Sequence, residues 1–310
     1  MTLPHPSRPV RHPRPVLLIV GCGDIGLRVA RRLRGRWRLI ALTSSAARTG
    51  ELRDAGIVPL PGDLDEPASL ARLAGLADAV LHLAPPPAHG VSDPRTRALL
   101  AALARRGRVR RLVYASTTGV YGDRGGAWLD ETRQVAPASD RAHRRVDAER
   151  QVRAYGRRHG VATTLLRVPG IYAADRAGGD PRERVARGTP VLAQGDDVYT
   201  NHIHADDLAR ACIAALHRGL PQRVVHASDD SEIRMGDYYD LVADLARLPR
   251  PPRIARAEAG AAFGAMQLSF MSESRRLTNR RLKRELRLVL HHPTVRQGLA
   301  AFPDFVPDTR

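Results

Sequence analysis

Residues 21–26 read Gly-Cys-Gly-Asp-Ile-Gly, a G-x-G-x-x-G motif placed between two segments of opposite character. The preceding run VLLIV, residues 16–20, is wholly apolar and predicts a buried strand. Residues 24–34 repeat apolar side chains at helical spacing and are followed by Gly35. A strand, a glycine-rich turn and a helix in this order form the first unit of a parallel α/β sheet, and this unit restricts the fold more than any other feature of the chain.

The three glycines of the motif have separate physical tasks. Gly21 permits the tight turn, Gly23 lets the backbone approach a pyrophosphate, and Gly26 lets helix and strand pack closely. The helix that begins at Asp24 and Ile25 directs free N–H groups and the positive end of its dipole towards the same point. This context favours dinucleotide binding; the alternative is a glycine turn retained only for packing.

The first half of the chain continues to alternate apolar runs with amphipathic stretches, which predicts an α/β fold with a Rossmann-type doubly wound parallel sheet. After Pro169 the pattern breaks into short segments, which indicate a smaller C-terminal substrate lobe, with one strand from RVVHAS (223–228) returning to the main sheet. We therefore expect a disordered basic leader over 1–14, a dinucleotide-binding domain over 15–168 and a substrate-binding lobe over 169–306. The further predicted strands are 38–43, 57–60, 79–84, 111–116 and 163–168, and the further predicted helices are 93–106 and 139–158.

Composition limits the classes of function. The formal net charge is +18. Of the 50 basic residues, Lys283 is the only lysine and all the others are arginines. Because this bias runs through the whole chain and no groove-binding motif accompanies it, nucleic acid is disfavoured as a partner. No apolar run reaches the roughly 18 residues of a membrane helix. Cys22 and Cys212 show neither disulfide nor metal-ligand spacing, which predicts a reducing, cytoplasmic location and no metal site.

The segment after the second strand indicates which dinucleotide is bound. NAD-specific loops usually carry an Asp or Glu there, which accepts hydrogen bonds from the ribose hydroxyls. This chain has Thr43, Ser44 and Arg48 instead, with no acid before Glu51. Hydroxyl groups and a guanidinium suit a 2′-phosphate, so NADP is favoured, with NAD as the alternative. Arg48 could equally be a solvated loop residue.

Six later segments, in this order, read GDLDEPASL, HLAPPP, YASTTGVYG, LRVPGIY, NHIHADDLARA and PTVRQGL. With them the chain, from about Pro15 to Phe302, resembles the extended short-chain dehydrogenase/reductases, the epimerase/dehydratase group. The resemblance implies a nicotinamide dinucleotide as cofactor and places residues of these segments around it. Beyond the glycine loop these are Asp63 and Leu64 at the adenine, Leu83, Ala84 and Pro85 along the cofactor, Ser116 at the end of the fifth strand, Thr117 at the catalytic hydroxyl position, and Pro169, Gly170 and Ile171 beside the nicotinamide.

The helix that carries catalysis in this family departs from the family pattern, which is Pro-x-Ser-x-Tyr-x-x-x-Lys followed four residues later by Glu. Pro137, Ser139 and Glu149 keep that frame. Arg141, however, stands at the tyrosine position, and Arg145 stands at the lysine position. Because the only lysine lies near the C-terminus, no Tyr-x-x-x-Lys exists elsewhere in the chain. The chain therefore resembles the atypical, YeeZ-like branch, which keeps the glycine motif without the usual active-site residues.

In the ordinary enzymes the tyrosine passes a proton as hydride moves, and the lysine lowers the tyrosine pKa and holds the ribose. Arg141 cannot replace that tyrosine, because a guanidinium stays protonated at any working pH. Arg141 and Arg145, at positions i and i+4, are expected side by side on one helical face, where they could clamp a carboxylate or phosphate or stabilise an oxyanion. The alternative is an exposed face that has lost its function. Tyr121 is interpreted as a packing residue.

Two functions follow from these patterns. The first is an NAD(P)-dependent oxidoreductase or epimerase with altered acid–base residues, which acts on a small anionic or sugar-like substrate. The second is a catalytically silent NADP(H) sensor or scaffold. A homodimer is an assembly consistent with either function.

Overall fold

The computed structural model describes residues 14–303; residues 1–13 of the expected leader and 304–306 of the expected lobe lie outside the described residues. The predicted apolar runs form one sheet of seven parallel strands, and eight shorter strands pair two by two. The strands, in chain order, are β1 (Val16–Val20), β2 (Arg38–Thr43), β3 (Val58–Pro61), β4 (Ala79–His82), β5 (Arg111–Thr117), β6 (Trp128–Leu129), β7 (Ala162–Val168), β8 (Gly170–Tyr172), β9 (Val191–Leu192), β10 (Tyr199–Thr200), β11 (His202–His204), β12 (Arg223–His226), β13 (Ile233–Arg234), β14 (Arg253–Ile254) and β15 (Arg276–Leu277).

Helices fill most of the connections between these strands. The α-helices are α1 (Asp24–Leu33), α2 (Thr49–Asp54), α3 (Pro94–Ala104), α4 (Asp140–His159), α5 (Arg182–Ala186), α6 (Ala205–Arg218), α7 (Met235–Ala246), α8 (Ala259–Ala262), α9 (Ala265–Met271), α10 (Arg280–Arg284) and α11 (Val295–Ala300). Four 3-10 helices cover Ala46–Arg48, Pro67–Leu73, Thr118–Tyr121 and Arg256–Glu258.

The strand order in the main sheet is β12-β7-β5-β4-β1-β2-β3. From β1 the chain moves outward through β2 and β3 and then crosses to β4 on the other side of β1. The order therefore reverses between β1 and β4, and ligands of open parallel sheets bind outside the carboxyl ends of the strands at such a reversal. The glycine loop directly follows β1 at this point. The predicted doubly wound parallel sheet is confirmed, including the return of β12 beside β7.

The central strand β1 shows why the sheet needs helices on both faces. All five of its residues are buried, and they alternate between two cores. Leu17 and Ile19 belong to one apolar cluster, whereas Leu18 and Val20 belong to another, because successive side chains point to opposite faces. Each of these four side chains has no exposed surface.

Two layers of helices cover these cores. On one face α1 and α6 pack together, with Val29 of α1 and Leu208 of α6 in the same cluster as Leu17. On the other face α3 and α4 pack together, with Leu99 of α3 and Val152 of α4 in the second cluster. None of the helices between residues 14 and 303 is both long and apolar enough to cross a membrane.

A buried ion pair joins α4 to two strands of the sheet. Arg167 of β7 donates from Nε and Nη2 to the two carboxylate oxygens of Glu149 at 3.0 and 2.8 Å, and the Ser116 hydroxyl donates to the same carboxylate at 2.7 Å. Arg167 also donates from Nη1 to the hydroxyl of Tyr121, which lies against His226. Burial alone would lower the pKa of Arg167, but Glu149 and Tyr121 outweigh it and raise that pKa. The side chains of Arg167 and Glu149 are 4% and 5% exposed, so water hardly screens this pair.

Breaking this pair is expected to destabilise the fold strongly. Glu149→Gln leaves the Arg167 guanidinium charged, buried and without its carboxylate, and we expect the free energy of unfolding to fall by about 3 kcal/mol. Asp244→Asn is the matched control, because Asp244 pairs with Arg250 on the surface, where such a pair contributes about 0–1 kcal/mol. Urea unfolding followed by circular dichroism measures both. Equal losses in the two variants would contradict this account.

Candidate functional site

The glycine loop has the backbone that the motif predicts. Gly21 has φ +83°, and a Cβ built on it would lie 2.4 Å from the backbone nitrogen of Ala84. A Cβ on Gly26 would lie 3.1 Å from Cys22 Sγ and 3.2 Å from Ile19 Cγ2, so this glycine allows α1 to pack on β1. Gly21 therefore serves the turn and Gly26 serves the packing, as their places in the motif predict.

Gly23 differs from the other two, because its missing side chain faces open space. Nothing among the described residues lies within 4 Å of a Cβ built there. Gly23 is the N-cap of α1, and no side chain in the described part of the chain caps this helix. The N–H groups of the first turn, which starts at Asp24 and Ile25, are thus available to an anion in front of Gly23. These residues fit the pyrophosphate of a dinucleotide.

Arg48, predicted to select NADP, lies beside this loop. Its Nη1 donates to the carbonyl oxygen of Cys22 at 2.7 Å, and its Nε and Nη2 donate to Glu51 Oε2 at 3.0 and 2.9 Å. Thr43 Oγ1 donates to the Ser45 carbonyl oxygen, and Ser44 is exposed. The structure therefore brings the predicted 2′-phosphate residues to the edge of the glycine loop, with Glu51 already on the guanidinium.

The residues assigned to the cofactor by the resemblance follow β3 and β4. The N–H groups of Leu83 and Ala84 donate to the carbonyl oxygen of Val20 at 2.7 and 3.0 Å, so the segment after β4 is held against the glycine turn. After β3, the Asp63 carboxylate accepts from the N–H of Asp65, and Leu64 packs on the core. Pro85 is exposed.

A pocket of about 410 Å³ lies next to the carboxyl ends of β5 and β7. It is lined by predicted site residues from three separate segments of the sequence: Thr117, Arg141, and the run Pro169, Gly170 and Ile171. Thr117 Oγ1 accepts from the N–H of Gly119 at 3.3 Å, which leaves the hydroxyl proton available to a ligand. The structure thus places the predicted catalytic hydroxyl, the helix arginine and the predicted nicotinamide segment around one cavity.

Arg141 and Arg145 are near enough that the Arg145 charge, after burial, lowers the pKa of Arg141, but the two side chains take different partners. Arg145 donates from Nη1 to the Tyr114 hydroxyl at 3.0 Å and to the Ala115 carbonyl oxygen at 2.8 Å, and it does not line the pocket. Arg141 lies over the ring of Phe270, with 5.2 Å between its Cζ and the ring centroid. No carboxylate of the described residues lies within ion-pair distance of Arg141, although the charge of Glu273 acts on it from farther away. Only Arg141 of the two is therefore placed to bind a ligand in the pocket.

Ser116 is turned away from a ligand role in this structure. Its side chain is 4% exposed, and its hydroxyl donates to Glu149. Tyr121, interpreted from sequence as a packing residue, is fully buried, and its hydroxyl contacts Arg167 and His226.

The later part of the chain contributes pocket residues that the sequence analysis did not identify. Arg184 stacks on the Tyr239 ring, with 4.7 Å from Cζ to the ring centroid, and Arg275 pairs with Glu273 at 2.7 Å. The Nε atoms of Arg184 and Arg275 are buried without a hydrogen-bond partner in the described part of the chain. Tyr199 also lines the pocket. These residues belong to short segments without a motif, so only the structure could identify them.

Burial favours the neutral form of two side chains that line the pocket. Burial lowers the pKa of His202 to about 3, so this imidazole is neutral at any working pH. Burial also raises the pKa of Tyr239, although Arg184 and Arg187 oppose the shift, so its hydroxyl keeps its proton. The charged residues that line the pocket are the arginines Arg141, Arg176, Arg184 and Arg275 and one carboxylate, Glu273, which is paired with Arg275, so the pocket has an excess of positive charge.

The sheet order and the glycine loop define a class, the dinucleotide-binding α/β proteins with a doubly wound parallel sheet. Within that class, residues 17–227, more than half of the chain, match the model of the NAD dependent epimerase/dehydratase family. The chain belongs to this family.

Known structures agree with this fold. A conserved protein of unknown function from Silicibacter pomeroyi is 31% identical, with a TM-score of 0.78 over 93% of this chain and 97% of that chain. The UDP-glucose 4-epimerase of Thermotoga maritima is 18% identical, with a TM-score of 0.75 over 91% of this chain and 96% of that chain, a likeness of fold alone.

A curated relative matches part of the chain. The trifunctional UDP-glucose 4,6-dehydratase, epimerase and reductase RHM3 of Arabidopsis thaliana is 26% identical over 164 residues, 49% of this chain. The match spans only 24% of the length of that relative.

Substitution of single glycines is expected to separate folding from binding. Gly23→Ala places a methyl group in open space at φ −83°, so we expect a loss of stability of about 1 kcal/mol or less, together with a tenfold or greater loss of nucleotide affinity. Gly21→Ala strains the positive φ and meets the Ala84 backbone, which is expected to cost more than about 2 kcal/mol. Thermal melting and fluorescence titration with NADPH and NADH measure the two effects. Unchanged affinity in Gly23→Ala would contradict the assignment of this loop.

Proposed function

We propose that this protein binds NADP(H) at the glycine loop and is an oxidoreductase or epimerase acting on a small anionic or sugar-like substrate. The observation that carries the proposal is the pocket in which Thr117 and residues 169–171 meet Arg141, an arginine with no carboxylate partner among the described residues. A guanidinium in that position would pair with a carboxylate or phosphate of the substrate. The family assignment and the sugar-nucleotide enzyme of Arabidopsis thaliana that matches part of the chain support the same reaction class.

The chain's own residues would divide the work as follows. A nicotinamide dinucleotide would supply hydride transfer when bound. The N–H groups at the start of α1 hold its pyrophosphate in front of Gly23. Arg141 binds the substrate anion or stabilises an oxyanion, and it cannot move a proton. Among the hydroxyls that line the pocket, those of Thr117, Tyr199 and Tyr239 are the candidates to donate one.

Arg141 is expected to govern turnover of charged substrates. NADPH oxidation is measured with carbonyl compounds that carry a carboxylate or phosphate and with neutral analogues. We expect Arg141→Ala to lower kcat/KM for the charged compounds roughly 10- to 100-fold, because a charge-assisted hydrogen bond is lost, and to change the neutral ones little. Arg158→Ala, at the exposed far end of the same helix, is the control. Equal losses for charged and neutral compounds would refute this role.

Arg48 is expected to set the preference for NADP over NAD. Arg48→Ala removes the guanidinium beside the glycine loop. It should lower the affinity for NADPH about tenfold or more, while the affinity for NADH changes less than twofold. Glu51→Gln removes the carboxylate that competes for Arg48 and should shift the preference further towards NADPH. Arg53→Ala, an exposed arginine of α2, is the control. Isothermal titration with both cofactors tests this, and an NADH preference in the unmodified protein would rule it out.

A second candidate, a catalytically silent NADP(H) sensor, is favoured by one observation. Arg145, at the position of the family lysine, is held by Tyr114 and Ala115 and is not available to a ribose. A sensor would bind NADPH and NADP+ with different affinities, change shape on binding and turn over no substrate. Steady NADPH oxidation with any compound of the panel would eliminate it.

A further inference from the structure

Six charged side chains form a cluster along α1 and connect this helix to the segment after β8 and to α6. We call them the Arg28 cluster; its members are Asp24, Arg28, Arg32, Asp175, Arg176 and Asp206. Arg28 is the centre, since its Nε donates to Asp24 at 2.9 Å, its Nη1 donates to Asp206 at 2.9 Å, and its Nη2 donates to Asp175. Arg32 pairs with Asp206 at 3.0 Å, and Arg176 pairs with Asp24 at 2.8 Å.

The cluster holds three segments of the chain together. Arg28 and Asp24 belong to α1, Asp206 belongs to the first turn of α6, and Asp175 with Arg176 belongs to the segment after β8. The Arg28 side chain is only 6% exposed, whereas its partners Asp24, Asp206 and Asp175 are 27%, 32% and 67% exposed, so the arginine is buried and the carboxylates reach water. With three acids and three arginines the cluster is formally neutral. The segment after β8 is therefore fixed against the glycine loop by charge.

Asp24 places a negative charge at the end of α1 where the pyrophosphate is expected to bind. It is the first residue of α1, directly after Gly23, where the helix presents its N–H groups. A carboxylate in a first helical turn is favoured by the helix dipole, but it repels a pyrophosphate at the same place. The two arginines on Asp24, Arg28 and Arg176, neutralise that charge.

Arg176 is the member of the cluster best placed to change partner. Arg28 has three carboxylates, whereas Arg176 has Asp24 alone among the described residues. Its side chain is 27% exposed, and the residue lines the pocket that contains Thr117 and Arg141. Arg176 thus reaches both the start of α1 and the substrate pocket.

The loop that carries Arg176 is closed on itself. The Ala173 N–H donates to the Gly179 carbonyl oxygen at 3.1 Å, and the Gly179 N–H donates to the Arg176 carbonyl oxygen at 2.9 Å. The Arg176 side chain runs across Gly179, since a Cβ built on Gly179 would lie 2.6 Å from Arg176 Cδ. This packing directs the guanidinium without fixing it by further hydrogen bonds.

We propose that Arg176 binds the pyrophosphate of the cofactor from the side of the substrate pocket, exchanging Asp24 for the phosphate oxygens. A guanidinium prefers a doubly charged pyrophosphate over a single carboxylate that Arg28 already neutralises. Cofactor binding then changes the charge and position of one wall of the substrate pocket. This inference rests on the proposed function, because it requires that a dinucleotide binds at the glycine loop.

The test is fluorescence titration of the full chain with NADPH and with 2′-AMP, which lacks the pyrophosphate. Arg176→Ala is expected to lower the affinity for NADPH tenfold or more and to change the affinity for 2′-AMP less than twofold. Gly179→Ala should give an intermediate loss, since it displaces the guanidinium and keeps its charge. Asp24→Asn should raise the affinity for NADPH severalfold, because it removes the carboxylate that competes for Arg176. Arg158→Ala, at an exposed arginine outside the pocket, is the control and should change the affinity for neither ligand.

The possible results of these titrations distinguish a failure of the proposed function from a failure of the inference about Arg176. Failure of the unmodified protein to bind any nicotinamide dinucleotide overturns the proposed function and this inference with it. Binding by the unmodified protein with equal NADPH affinity in Arg176→Ala overturns this inference alone. A similar loss for NADPH and 2′-AMP also overturns it, because Arg176 would then act only by holding the loop in shape.

Discussion

The pair between Glu149 and Arg167 sets the geometry on which the site depends. It fastens α4 to β7, and through Ser116 it also fastens α4 to β5. Thr117 ends β5, Arg141 lies two turns before Glu149, and residues 169–171 directly follow β7. The three parts of the pocket therefore extend from elements that one buried interaction holds in register. Without it, α4 would rest on the sheet through the Arg145 hydrogen bonds to β5 and through apolar contacts, which are less directional.

Much of the fold is predictable because its signals are local. The apolar runs mark the strands of the main sheet, Asp93 and Ser139 cap α3 and α4 with their side chains, and Gly160 ends α4 in the left-handed conformation. The fourth strand ends at His82, two residues earlier than predicted, because the next two N–H groups turn to the carbonyl oxygen of Val20. The two-residue strands depend on partners distant in sequence, such as β6 with β15, so no local pattern predicts them.

The candidate site is predictable where family register applies and unpredictable where side chains choose among partners. Register places Thr117 and Arg141 near one another, and the structure joins them in a pocket. Helical spacing puts Arg145 on the same face as Arg141, but a long side chain can reach several acceptors, and Arg145 takes the Ala115 carbonyl oxygen. Arg184 and Arg275 come from segments that have no sequence signature, and their contribution is visible only after folding.

The position of Arg145 has a consequence for any redesign of this helix. A guanidinium that bonds both a backbone carbonyl and the hydroxyl of a buried tyrosine is part of the scaffold. Arg141→Tyr together with Arg145→Lys would reproduce the family pattern but would give up this attachment, because an ammonium group lacks the planar fork of donors. Installing the usual acid–base pair in this chain therefore removes structural support from α4 at the same time.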